Sequence, residues 1–156
     1  MKLKKIRIIN YRCFKDANID FDEHTTLIVG KNGAGKTAIL DAVAVAVSTF
    51  LLGIDGGVGR SILKDDARYE FHDLDGTVDP QHQFPVSIES IGDCLDNHDV
   101  KWVRSLNSES GNTTVKEARE LTNISKEAQK RIMTGDKSLI LPLISYYGTG
   151  RLYAQK

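Results

Sequence analysis

Residues 25–52 read TTLIVGKNGAGKTAILDAVAVAVSTFLL. A short apolar run, Leu27-Ile28-Val29, meets a glycine-rich turn, and the turn opens into a long apolar stretch. The turn, Gly30-Lys31-Asn32-Gly33-Ala34-Gly35-Lys36-Thr37, fits G-x-x-x-x-G-K-[ST] at every fixed position. Its residue types suit a polyphosphate. Glycines let the backbone curl until its N–H groups crowd around oxygen. The helix that follows aims unpaired donors and partial positive charge at the same point. Lys36 can reach the β- and γ-phosphates, and the Thr37 hydroxyl can ligate Mg²⁺. Asn32 tolerates the backbone angles of a tight turn. The expected cofactors are ATP and Mg²⁺. The expected contacts run through Gly30, Lys31, Asn32, Gly33, Ala34, Gly35, Lys36, Thr37 and Ala38.

Working outward, Leu3–Ile9 and Ala17–Phe21 alternate apolar and polar residues and predict two strands before the phosphate loop. Thr25–Val29 predicts a third, so a mixed sheet with an antiparallel portion is expected. The helix is expected from about Gly35 to Leu52, with Ile39, Leu40, Val43, Val47, Phe50 and Leu51 at helical spacings and Gly53 as its stop. It is apolar nearly all round, which predicts burial against the sheet. Its most hydrophobic window, Ala42–Ile54, is too short to cross a bilayer.

Residues 53–85 read as an irregular loop. Its His72, Asp73, Asp75, Asp79 and His82 suggest a metal site only weakly, because no two share a face; a solvated loop is the plainer reading. Phe84–Ile91 and Val100–Leu106 predict an antiparallel hairpin over 86–106. Trp102 within it suits either a core position or a base platform. Thr114 with Glu117 forms a capping-box pattern for a helix over 114–134. Its stripe is Val115, Ala118, Leu121, Ser125, Ala128 and Ile132, and Gly135-Asp136 is its stop. Leu139–Tyr147 is an apolar run that predicts a buried strand, although Pro142 suits a central ladder poorly.

Lys plus Arg and Asp plus Glu are each 21 in 156 residues, so the net charge is zero. That excludes a strongly basic nucleic-acid footprint for the whole chain. Lys2, Lys4, Lys5, Arg7, Arg12 and Lys15 could still form a local patch. Cys13 and Cys94 make no C-x-x-C pair, so two free thiols in a cytoplasmic protein are expected. No signal peptide is evident.

Two pieces together resemble the N-terminal part of the ABC-type ATPase heads of the RecF, SMC and Rad50 class. One is LKKIRIINYRCF over residues 3–14, and the other is GKNGAGKTAILDA over residues 30–42. A later segment, LPLISYYGTGR over residues 141–151, looks like one found in RecF-like ATPases of Septu-type and retron-associated anti-phage systems. The resemblance implies an α/β P-loop fold, here the N-terminal lobe of a head.

It also implies that Arg12 approaches the nucleotide and that Arg151 or Gln155 lies near the γ-phosphate. It further implies homodimeric heads that sandwich ATP and control DNA or an effector such as a nuclease. A fork-shaped guanidinium beside phosphate is sensible on physical grounds. No apolar run ends in Asp-Glu, and no Ser-Gly-Gly signature or switch histidine is evident. The expectation is therefore a lobe completed elsewhere, with no carboxylate base of its own. The alternatives are a nucleotide-binding regulatory module that does not hydrolyse, and a small P-loop kinase.

Overall fold

The computed structural model describes residues 1–74 and 77–148. Among these residues, six strands and two α-helices appear in the order β1 (Lys2–Tyr11), β2 (Phe14–Asp20), α1 (Lys36–Ser48), β3 (Tyr69–Leu74), β4 (Thr77–His82), β5 (Val86–Cys94), β6 (Asn97–Leu106) and α2 (Arg119–Met133). Three 3-10 turns join them, at Thr49–Gly53, Lys64–Asp66 and Lys116–Ala118.

Four strands form one sheet in the order β2-β1-β5-β6, with every pairing antiparallel. Alternation in β1 places Ile6 and Ile8 on the inner face, where both are fully buried, and β5 adds Val86 and Ile88. Helix α1 lies against this face. Its closest side is lined by small residues, Ala38, Ala42, Val45 and Ala46. Small side chains let a helix backbone approach the sheet, and the Trp102 indole N–H donates to Ala46 O at 3.0 Å. Trp102 is 1% exposed and is therefore a core residue, not a base platform.

This rotates the helix relative to the expected stripe. Leu40 is 48% exposed, and Leu40, Val43, Val47 and Leu51 line an outer groove together with Ile144–Tyr147. Helix α1 and its 3-10 extension, Lys36–Gly53, are long and apolar enough by length and composition to cross a membrane. Half of that span is buried in the fold, as suits a core helix.

Three expectations are corrected. Thr25–Val29 forms no regular element and pairs with no strand among the described residues, and Leu27 and Val29 are 81% and 77% exposed. Leu139–Tyr147 is likewise unpaired and not buried, with Leu143 95% exposed. Apolar runs become strands only where a neighbour takes up their backbone groups. Residues 53–85 are more ordered than a loop, because β3 and β4 pair as a separate two-stranded antiparallel ribbon.

Thr114 does not cap α2. Its N–H and hydroxyl are used beside β6, donating to Ser105 O at 2.7 Å and accepting from Ser105 N–H at 3.2 Å. The helix starts later, at Arg119, with no side-chain cap. At its other end the Gly135 and Asp136 amides close on Ile132 O and Arg131 O, the 5→2 and 6→1 pair of a Schellman stop.

Surface carboxylates give the fold an acid limit. Lys4 and the Asp99 amide hold Asp93 down at about 2, and the Ser138 hydroxyl and amide with Arg131 hold Asp136 at about 2. Asp16, Asp22 and Glu109 are lowered by Arg7, by the His24 and Thr25 amides, and by Lys64 respectively. Depressed folded-state values mean that the unfolded chain takes up protons first as pH falls. The stability these groups contribute is complete above about pH 4.5 and is lost progressively toward pH 2. The urea midpoint is expected to fall between pH 5 and pH 2.5 and to stay level between pH 5 and pH 6; a midpoint unchanged at pH 2.5 would count against these contacts.

Candidate functional site

The turn between β1 and β2 is the floor of the site. Tyr11 pairs with Phe14, so Arg12 and Cys13 form a two-residue turn, with Arg12 at φ 50°. The segment after the Lys64–Asp66 turn clamps it. Tyr11 bridges to Ala67, and Arg12 N–H donates to Asp66 O at 2.7 Å.

The phosphate loop rests on this turn. Gly35, at φ 87°, immediately precedes α1. A Cβ there would lie 2.6 Å from Cys13 Sγ and 2.6 Å from the Phe14 ring. The Ala34 N–H donates to Lys31 O at 3.2 Å, and the Ile39 N–H to Gly35 O at 3.0 Å. The first amides of α1 are the donors that a helix start leaves without an intrahelical acceptor. Lys36 curls over the loop, donating to Gly30 O at 2.7 Å and Lys31 O at 2.8 Å.

Arg12, Cys13, Asn32, Gly33, Gly35, Lys36, Thr37 and Ala38 line a cleft of about 370 Å³. Its described lining holds two cations and no carboxylate. A helix N-terminus, an ammonium and a guanidinium around one opening fit a polyphosphate. Thr37, in the first turn of α1, puts a hydroxyl at the same opening, which fits a hard cation carried by phosphate oxygens. Gly30, Lys31 and Ala34 do not line the cleft. They shape it, two through carbonyls that hold Lys36 and one by closing the turn. Arg151 and Gln155 lie outside the described residues.

Behind the cleft is a polar cluster built around two buried carboxylates, Asp41 and Asp66. Arg12 Nη1 donates to Asp41 Oδ2 at 2.5 Å and Arg12 Nε to Asp66 Oδ1 at 2.8 Å. Asp41 is 5% exposed, pairs as an ion pair with Arg60 Nη2 at 2.9 Å and accepts from the Tyr146 hydroxyl. The Arg12 and Arg60 guanidiniums stand over the Tyr11 and Tyr146 rings. Burial works to lower the Arg12 guanidinium; Asp66 and Asp41, together with Tyr11, outweigh it, and the net shift is upward. Burial and then Asp41 push the Tyr146 hydroxyl up. Sequence reasoning singled out Asp41 as part of a motif but gave it no role, and it missed Asp66, Arg60 and Tyr146. Only the acid after Ile39-Leu40 was a usable signal.

The basic N-terminal residues do not form an open cationic patch. Lys2 meets Glu23, Lys4 meets Asp93 and Asp99, Lys5 meets Asp20, Arg7 meets Asp16 and Glu89, and Lys15 meets Glu70. As for metal ligands, His72, Asp73, Asp79 and His82 fall on β3 and β4, and Asp75 lies outside the described residues. Among the described residues no group of three His, Cys, Asp or Glu side chains is placed to hold a metal ion.

Residues 5–156 match a family model described as an AAA domain. The DNA double-strand break repair Rad50 ATPase of Archaeoglobus fulgidus is 50% identical over 44 residues, which cover 28% of this chain and 5% of that protein. The DNA replication and repair protein RecF of Chlorobium phaeobacteroides is 33% identical over 89 residues, 57% of this chain and 23% of that protein. The chain thus spans a small part of the curated relatives it matches.

In three dimensions it resembles a chain solved in work on ATP-driven dimerization and DNA-stimulated activation of SMC ATPases. The TM-score is 0.50 at 19% identity, over 80% of each chain. The antiparallel sheet, the glycine loop resting on the β1–β2 turn, and the family match agree: the chain belongs to the AAA domain family and has the N-terminal lobe fold of an ABC-type head of the RecF, SMC and Rad50 class.

Proposed function

We propose that the chain binds Mg-ATP through residues 30–38 and Arg12. The observation that carries this is the cleft itself, where Lys36, Arg12 and the start of α1 surround one opening with no described carboxylate in its lining. Thr37 would ligate Mg²⁺, which when bound would neutralise phosphate charge; Lys36 and Arg12 would hold and orient the phosphate tail. Arg151 and Gln155 remain candidates for the γ-phosphate side.

The whole protein is read as an ATP hydrolase. Two heads would close around ATP as a homodimer, and closure would control engagement of DNA or of an effector such as a nuclease. The Rad50 and RecF matches support a DNA-repair setting. Anti-phage defence is the narrower proposal and rests on residues 141–151. Two free cysteines, Cys13 and Cys94, suit a reducing cytoplasm.

A second reading is a nucleotide-binding module without turnover, favoured by the same lining. An attacking water needs a group to orient it, and the described cleft offers no carboxylate for that role.

Calorimetric titration of ATP with Mg²⁺ into the full chain tests the binding. Lys36→Ala removes charge-assisted hydrogen bonds to phosphate and is expected to weaken ATP about 10- to 100-fold. The Lys36 contacts are exposed ones to loop carbonyls, so the melting temperature should hardly move. Equal affinity in the variant would refute the assignment. Phosphate release measured in the same samples separates the hydrolase from the silent module.

A further inference from the structure

We propose that Asp66 and Asp41 are positioning residues for Arg12, fixing its guanidinium at the edge of the phosphate cleft before any nucleotide arrives. The proposal rests on the reading of Arg12 as a phosphate ligand. A free arginine carries rotamer entropy that a ligand must otherwise overcome on binding. Here that ordering is transferred to folding.

Each part of the bracket is itself held. Asp66 Oδ2 accepts from Leu63 N–H at 2.9 Å, and Asp66 O accepts the Arg12 amide, so Asp66 grips both ends of Arg12. Asp41 lies four residues after Thr37 on α1, on the same helix face, one turn behind the cleft. Arg60 and Tyr146 occupy its other oxygen, leaving Oδ2 for Arg12.

Nε and Nη1 of Arg12 are therefore committed to protein, while Nη2 has no protein partner among the described residues. A planar fork can be gripped on one side and present its remaining donors on the other; a lysine ammonium cannot do both.

The bracket also sets two carboxylates near an anion site, which opposes phosphate binding. Two arginines balance them, and Asp41 is buried behind the cleft and does not line it. Fixed geometry is therefore the dominant effect, and loosening the bracket should weaken binding even though it removes negative charge.

The test is a mutant cycle on the full chain. ATP affinity is measured by calorimetry for wild type, Asp66→Asn, Arg12→Ala and the double variant, each with a thermal melt. Asp66→Asn is expected to weaken ATP about fivefold, the scale of one ordinary hydrogen bond. In the Arg12→Ala background it should add nothing, whereas a general structural role would lower affinity in both backgrounds. Arg12→Lys, which leaves both carboxylates in place, should bind like Arg12→Ala.

Additive losses, unchanged or tighter binding by Asp66→Asn, or wild-type binding by Arg12→Lys would each overturn the proposal. If Asp66→Asn fails to fold, Arg12→Lys decides alone. Loss of binding in Lys36→Ala with none in Arg12→Ala would overturn this proposal and leave the phosphate loop standing. No loss in either would overturn both.

Discussion

Gly35→Ala is expected to lower ATP affinity at least about tenfold, while the chain still folds. Two costs coincide at this position. At φ 87° a residue with a Cβ carries strain of about 1–3 kcal/mol. The added methyl would also lie 2.6 Å from Cys13 Sγ and from the Phe14 ring. Strain and crowding together push the loop off the β1–β2 turn, moving Lys36 and the first amides of α1 away from Arg12. Pairing the change with Cys13→Ala removes the sulfur contact but not the strain or the ring, so the double variant should recover only part of the affinity. The titration described for Lys36→Ala reads this directly. Wild-type affinity in Gly35→Ala would show that the loop does not need this turn against it.

Gly53→Ala should have the largest effect on stability. Gly53 is buried at the end of the 3-10 turn that follows α1. A Cβ there would come within 2.0 Å of Ser125 Oγ and 2.2 Å of Thr122 O. The second atom is backbone of α2, and the Ser125 hydroxyl is itself bonded to Thr122 O at 3.0 Å. No rotamer change relieves the contact, so α2 must shift. Overpacking of this kind costs about 3 kcal/mol. For a chain of this size that is roughly 6–12 °C in Tm. Circular dichroism melts check it. Below the transition, ATP affinity should be close to wild type, because α2 lies away from the cleft. A Tm within 2 °C of wild type, an allowance of roughly 1 kcal/mol or less, would mean that α2 yields freely.

What could be read from the chain and what could not divide along physical lines. Lys36, Thr37, Gly33 and Gly35 are tied to one chemistry at fixed spacing, and they come together at one cleft. Residues 86–106 carry their own turn and alternation, which local pattern reports well. The β3–β4 ribbon was missed because it is polar and includes Pro80, which offers little strand propensity. The error at Leu27, Val29 and Leu143 ran the other way. Apolar composition announces a wish to be covered, not the presence of a covering strand. Thr114 and Glu117 fit a capping pattern, yet β6 claims the threonine first. The Arg12–Asp41–Asp66–Arg60–Tyr146 cluster joins residues up to 134 positions apart, and no window of sequence can show that they meet.

The chain has one tryptophan, and its indole is sealed between the sheet and the backbone of α1. Its emission is thus an optical gauge of whether that helix is seated. A blue-shifted spectrum in the folded chain should move to the red as the helix leaves the sheet, with no label attached. Because the same helix begins at Lys36, the gauge and the phosphate loop are the two ends of one rod, and light from one end can be followed while nucleotide is added at the other.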